Sequence, residues 1–259
     1  MKIEGSRVLV TGASSGIGAA LARQLAQRGA TVGIVARRRD RLEAVLKDCQ
    51  SSAPESRAWV ADLGDLARAE AVVGEAWQAF GHLDALVNNA AIPNRTHITR
   101  LSHDSLEETL RVNFLSPVRM AMAALPRMRA RKAGVILNVS SLGGRLGIAH
   151  EAAYCAAKAA LCGWSEAALI DLIDDPVRIK LVIPGPIDTE IWDVPTVEPV
   201  HYTGPKVPAA DCAKGIVAAL EEEGGFEYYL PDLKGIAVAK TQDSLAFLRG
   251  SAQAMKPKA

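Results

Sequence analysis

The chain has little of what metal, disulfide or membrane chemistry would need. Its four cysteines (Cys49, Cys155, Cys162 and Cys212) form no CxxC pair and no His-flanked ligand spacing. They read as reduced thiols in a cytoplasmic protein, not as a disulfide framework. Five histidines (His82, His97, His103, His150 and His201) make neither an HxxxH nor an HxH pair, so no metal site is expected. A formal net charge of +1 gives no electrostatic case for nucleic acid or an anionic membrane. No apolar run reaches the ~18 residues of a membrane span. The first residues, MKIEGSRVLV, enter a strand-like run with no signal-peptide apolar segment, again pointing to the cytoplasm. With 49% apolar and 23% charged residues, the 259-residue chain has the composition of a soluble globular protein able to bury a full core.

What is present is an alternation. Short β-branched runs at 7–12, 31–36, 57–63, 83–89, 134–141 and 177–183 read as strands. Amphipathic stretches at 17–29, 40–51, 66–80, 104–131 and 152–174 read as the helices between them. Such alternation predicts a parallel sheet covered on both faces, and right-handed crossovers make it doubly wound. No repeat or linker divides the chain, so residues 1–259 are expected to form a single α/β domain of Rossmann type. The period fades after Pro184: residues 190–208, rich in proline and aromatics, are expected to be a substrate lid. A helix at 208–223, a strand at 226–230 and a terminal helix at 236–249 complete the reading.

TGASSGIG (11–18) lies between the first strand and the first helix. Gly12 suits a tight turn, Gly16 a close backbone approach, and Gly18 the packing of helix on sheet. The helix N-terminus then offers free N–H groups to a pyrophosphate. A plain glycine turn is the alternative; the strand-to-helix setting favours a dinucleotide, although the spacing is GxxxGxG and not GxGxxG. A carboxylate for the adenosine ribose, expected at the end of the second strand of an NAD-binding fold, is missing there. Ala36 and Arg37 occupy that neighbourhood, followed by Arg38, Arg39 and Arg41, with no acid before Asp40. Arg37 is assigned to the 2′-phosphate of NADP(H), with NAD(H) the other possible coenzyme; a solvated turn suits Arg39 and Arg41, and Arg38 stays open between the two readings.

With these motifs, NNAA (88–91), Asn113, the serine pair 140–141, YCAAK (154–158) and PGPIDT (184–189) follow in order. In this set the chain resembles the short-chain dehydrogenase/reductase family, in its compact single-domain branch, over about residues 6–190. The resemblance implies a sheet of about seven strands and hydride transfer at a nicotinamide. It implies that Gly12, Ser14, Ser15, Gly16, Ile17 and Gly18 line the pyrophosphate and ribose, and that Asp62 with Leu63 contacts adenine. It places Asn89 and Ala90 beside the adenosine ribose, and Pro184, Gly185, Ile187 and Thr189 around the nicotinamide amide. Ala91 departs from the family's usual NNAG, and Ser15 stands where many NADP-using members carry a second basic residue.

Reducing a ketone needs an acid for the developing alkoxide and a donor that polarises the carbonyl. Tyrosine's ordinary pKa of ~10 is high for that work. Lys158, one helical turn from Tyr154, puts an ammonium at ~5 Å, which in an effective dielectric of ~20 favours the phenolate by ~3 kcal/mol. The resemblance adds that Lys158 holds the nicotinamide ribose, that Ser141 and not Ser140 donates to the substrate oxygen, and that Asn113 holds a water for proton relay. The residues alone read Asn113 as a buried amide satisfying a helix kink. Cys155 reads as a small core thiol, and His150 and His201 as solvated loop histidines. Trp192, Tyr202, Phe226, Tyr228 and Tyr229 suit either a pocket or the core.

The expected activity is therefore an NADP(H)-dependent interconversion of a carbonyl and an alcohol on a small molecule. A nucleotide-sugar epimerase or dehydratase, or a coenzyme sensor without turnover, is the alternative. About 70 residues beyond Thr189 leave little room for an epimerase's substrate domain, and sensors typically lose the Tyr or the Lys. The resemblance also implies a homodimer or homotetramer through the two long helices, the second of which (AAYCAAKAALCGW) is small-sided.

Overall fold

Seven runs rich in branched aliphatics form one parallel sheet in the computed structural model, which describes residues 1–195, 197–199 and 202–254. They are β1 (Arg7–Thr11), β2 (Thr31–Ala36), β3 (Arg57–Val60), β4 (Ala85–Asn88), β5 (Gly134–Val139), β6 (Val177–Pro184) and a last strand, Glu227–Leu230. The spatial order is β3-β2-β1-β4-β5-β6 with the last strand at the edge. Each neighbouring pair is parallel, from Val8 opposite Val32 to Val182 opposite Tyr228. The central strands are buried along nearly their whole length, as strands covered on both faces must be.

The helices are α1 (Gly16–Gln27), α2 (Arg39–Gln50), α3 (Leu66–Phe80), α4 (His103–Leu110), α5 (Ser116–Arg131) and α6 (Ala152–Asp171). After β6 come β7 (Ile187–Asp188), β8 (Val207–Pro208), α7 (Ala209–Glu221), the last strand as β9, then α8 (Lys234–Gln242) and α9 (Ser244–Ala254). One face of the sheet packs Leu21 and Leu25 of α1, Leu42 and Val45 of α2, and Ile216 and Leu220 of α7. The other packs Val72 and Ala76 of α3 with Met120, Ala124 and Met128 of α5, and Trp164 and Leu169 of α6 beside them. Among the described residues no helix is long and apolar enough to cross a membrane.

Three boundaries differ from the sequence reading. The helix expected over 104–131 is two helices joined by a π turn at Arg111–Leu115. The terminal helix is also two, because Asp243 turns extended and its carboxylate accepts from Ala246 N at 2.9 Å, starting a new helix. β3 stops at Val60, so Asp62 and Leu63 lie in the turn beyond it. The short parallel pair β7–β8 closes the base of the loop 189–206.

β1 lies between β2 and β4, where the chain's winding reverses. The carboxyl ends of these strands open into the crevice where open α/β sheets bind ligands.

Candidate functional site

At the tip of β1 the chain turns through Gly12, whose φ of +69° is left-handed and whose N–H donates to Val35 O at 2.8 Å. A Cβ on Gly12 would stand 2.7 Å from Ala90 Cα, so this glycine serves both the turn and the close approach. Gly16, also left-handed at +52°, sets the gap to the opposite wall, since a Cβ there would meet Thr189 Cγ2 at 2.9 Å. Gly18 lets the first turn of α1 sit on the loop; its Cβ would be 2.4 Å from Gly12 O. Ser15 is the extended N-cap and makes no side-chain cap bond, so the first N–H groups of α1 stay available to an anion.

β4 supports this loop from beneath. Thr11 Oγ1 accepts from Asn89 N (2.9 Å) and Ala90 N (3.0 Å), and Asn89 Nδ2 donates to Thr11 O at 2.9 Å. Asn89 and Ala90 thus brace the glycine loop. Leu63 is buried and shares a small hollow with Thr11 and Ala90, while exposed Asp62 accepts from Gly64 N at 2.9 Å. Across the crevice Pro184 and Ile187 are buried, and Gly185 N donates to Leu230 O at 3.0 Å.

The arginines divide differently from the sequence reading. Arg37 is exposed at the end of β2 and, among the described residues, makes no side-chain hydrogen bond or ion pair. Arg38 reaches back to the glycine loop, donating to Ser15 Oγ at 2.6 Å and to Ser14 Oγ at 3.2 Å. Arg38 also pairs with Glu190 at 2.7 Å, and Arg41 binds the other oxygen of that carboxylate. Hydrogen bonds from Arg38 and Arg41 hold the Glu190 carboxyl below its usual value.

At the carboxyl end of β5, Ser140 and Ser141 follow the strand directly. Buried Ser140 donates to Lys158 O at 3.0 Å and contacts Cys162 Sγ, so it holds α6 to the sheet. Ser141 caps a short 3-10 turn, accepting from Gly143 N at 3.1 Å, and lies beside the Tyr154 phenol. Burial pushes that phenol above its ordinary value, Glu151 adds to the effect, and Ser141 opposes it. Lys158 is 2% exposed; its ammonium donates to Val139 O at 2.9 Å and stands 5.8 Å from the Tyr154 ring centre. Burial lowers it to about 8. The sequence argument expected Lys158 to pull the phenol down; in this geometry burial of both groups dominates.

Asn113 lies in the π turn and is fully buried. Its amide grips one residue from both sides: Oδ1 accepts from Ile92 N at 2.8 Å and Nδ2 donates to Ile92 O at 2.9 Å. Cys155 is half-buried, with its thiol pushed up to about 11 by burial. Phe226 and Tyr229 pack against core residues, and the Tyr228 hydroxyl accepts from buried Lys180 at 3.0 Å. Trp192 and Tyr202 instead pair within the loop after β7, at 5.9 Å between rings.

Sequence reasoning missed a second polar cluster. Arg95 is 5% exposed, and its guanidinium donates to Ile191 O, Trp192 O and Glu198 O at 2.9, 2.9 and 3.1 Å. Glu198 accepts from His97 N at 2.9 Å and pairs with Arg100 at 2.6 Å and His150 at 2.9 Å. His150 therefore belongs to this clasp and is not a solvated loop histidine; His201 lies outside the described residues. Glu151 faces Tyr154 and Arg95, and burial raises its carboxyl to about 7. Its place three residues before Tyr154, at the N-cap of α6, was the available signal. Arg95, seven residues past the end of β4, carried no periodic signal at all.

A family model described as short chain dehydrogenase matches residues 6–196. Galactitol 2-dehydrogenase of Agrobacterium fabrum is 33% identical over 243 residues, 92% of this chain and 91% of its own length. A 3-oxoacyl-[acyl-carrier-protein] reductase of Staphylococcus aureus is 32% identical over 186 residues, 71% of this chain and 76% of its own. Among solved structures, a metagenomic short-chain oxidoreductase in complex with NADP aligns at a TM-score of 0.75 and 30% identity, covering 88% of this chain and 96% of its own. A short-chain dehydrogenase/reductase from Burkholderia phymatum in complex with NAD has the same fold, with a TM-score of 0.86 at 21% identity over 95% of this chain and 96% of its own. With the glycine loop and Ser141, Tyr154 and Lys158 at one mouth of the sheet, the chain belongs to the short-chain dehydrogenase/reductase family of oxidoreductases.

Proposed function

We propose that the protein is an NADP(H)-preferring oxidoreductase that interconverts a ketone or aldehyde and an alcohol, with Tyr154 as general acid and base. The observation that carries this reading is the grouping of Ser141 at the carboxyl end of β5 with the Tyr154 phenol and the Lys158 ammonium, which stands 5.8 Å from the ring centre. It puts a hydroxyl donor and a protonated phenol side by side, facing the crevice whose other half is an uncapped helix N-terminus. The glycine turns and the free N–H groups of α1 fit a dinucleotide's pyrophosphate, and the arginines after β2 fit a 2′-phosphate.

When bound, the nicotinamide supplies or accepts the hydride. Ser141 donates to the substrate oxygen and fixes its position. Tyr154, kept protonated through neutral pH by its burial, gives that oxygen its proton in the reductive direction. Lys158, with its value lowered to about 8, is mostly cationic at neutrality. It orients the ribose and stabilises negative charge on the phenol as the proton leaves. Asn113 holds Ile92 and the π turn; proton relay through that turn is part of the same reading.

The loop 190–208, clasped by Arg95 and Glu198, acts as the substrate lid on a single coenzyme-binding domain. The apolar and aromatic side chains of residues 190–230 suit a moderately apolar substrate. The four free thiols suit the reducing cytoplasm.

The test is turnover of NADPH or NADH against a panel of ketones and aldehydes. Tyr154→Phe is expected to lower kcat by at least about 100-fold while leaving coenzyme binding within about twofold. Activity near wild type removes Tyr154 from the mechanism, and coenzyme binding with no turnover on any substrate favours a sensor. Arg37→Ala is expected to lower the NADP/NAD ratio of kcat/KM; an unchanged ratio removes Arg37 from 2′-phosphate recognition.

A further inference from the structure

Glu190 stands directly after Thr189, on the wall of the crevice opposite the β2–α2 turn. Arg38 Nη1 donates to its Oε2 at 2.7 Å, and Arg41 Nη1 to its Oε1. Arg38 is held at the same time by Ser14 and Ser15 of the glycine loop. One carboxylate therefore draws two guanidiniums across the mouth of the coenzyme crevice and ties them to the first turn of the lid, Glu190–Trp192. Nothing in the family motifs of this chain asks for an acid at this position.

A carboxylate and a phosphate offer a guanidinium the same paired oxygen acceptors. They cannot both occupy one fork. Each of the three side chains in the bridge is about half exposed, so water screens the pairs and a second anion can reach them. A phosphate monoester carries nearly two charges at neutral pH against one on Glu190, and wins where its geometry is right.

We propose that Glu190 is a coenzyme-specificity residue, an internal carboxylate that occupies the Arg38–Arg41 pair and must be displaced by the 2′-phosphate of NADP(H) but not by NAD(H). The proposal rests on the dinucleotide reading above. It makes Arg38 and Arg41, beside Arg37, phosphate ligands of this chain. It also links the coenzyme to the lid, because displacing Glu190 frees the lid's first turn from the β2–α2 turn, whereas NAD(H) leaves that tie in place.

The experiment is equilibrium titration of wild type, Glu190→Gln and Glu190→Asp with NADPH and with NADH, read by coenzyme fluorescence at two salt concentrations. Glu190→Gln is expected to tighten NADPH by about three- to tenfold, the upper figure corresponding to about 1.4 kcal/mol. NADH should stay within about twofold, and Glu190→Asp should stay near wild type. The NADPH gain should shrink at high salt, as contacts between exposed charges do. Equal shifts for both coenzymes, no shift, or weaker NADPH binding in Glu190→Gln would each overturn the proposal; the last would make Glu190 a support that positions the arginines. Flat titrations of wild type with both coenzymes would instead sink the dinucleotide reading itself.

Discussion

Glu151 sits three residues before Tyr154, and the fold shifts its carboxyl into the physiological range. Burial raises it from 4.5 to about 7, opposed by the Arg95 guanidinium, with Tyr154 and Cys155 the other titrating neighbours. Between those two values the folded state binds more protons than the unfolded chain, so this group's contribution to stability falls as pH rises from 4.5 to about 7. Glu151→Gln is therefore expected to stabilise the protein at pH ~8, where the wild type holds the charge, by about 2 kcal/mol after solvent screening. Thermal melts should show that as a Tm gain of about 4–8 °C. At pH ~4.5 the gain should vanish; an equal gain at both pH values would mean that the carboxyl is not buried as described. Lys158 has the opposite sign. Its value drops from 10.5 to about 8, so it weakens the folded state below that range and the penalty is relieved as pH rises.

At the scale of elements, the π turn between α4 and α5 is the feature that sequence periodicity could not resolve. Apolar spacing across residues 104–131 suits one continuous helix, and a single extra residue in a turn barely alters it. Asn113 was the only local hint, as a polar side chain inside an apolar stretch. Its two bonds to Ile92 explain both its burial and the widened turn, because they pull the chain after β4 against the helix. Asn113→Ala leaves the Ile92 N–H and C=O without their partner, a loss of about 2–4 kcal/mol. Urea unfolding should show the midpoint fall by roughly 1 M; a change below about 0.2 M would show that this grip carries no stability. The glycine loop, by contrast, was legible residue by residue, since left-handed φ and sub-contact approaches admit almost nothing but glycine. Only the division of labour shifted, with Gly12 taking the close approach as well as the turn.

For the whole molecule, the outer faces of the long helices leave large apolar side chains in water. Met122 on α5 is 58% exposed, Ile170 near the end of α6 is 72% exposed, and Ile173 in the turn beyond α6 is 70% exposed. The homodimer or homotetramer expected through these two helices would cover such residues. Light scattering is expected to give two or four times the chain mass of 27.5 kDa, and a mass near one chain would refute it. The sequence by itself determined the alternating elements and the parallel sheet, and marked Tyr154 and Lys158 as candidates, because these follow from local periodicity or a short motif at fixed spacing. Tertiary structure decided what distant segments do to one another. It turned Arg38 and not Arg37 toward the glycine loop, brought Glu190 across the crevice to meet it, and buried Arg95 under the loop after β7, more than 90 residues away. It also set the charges, since the proton affinities of Tyr154, Lys158 and Glu151 follow from burial, which no local pattern encodes.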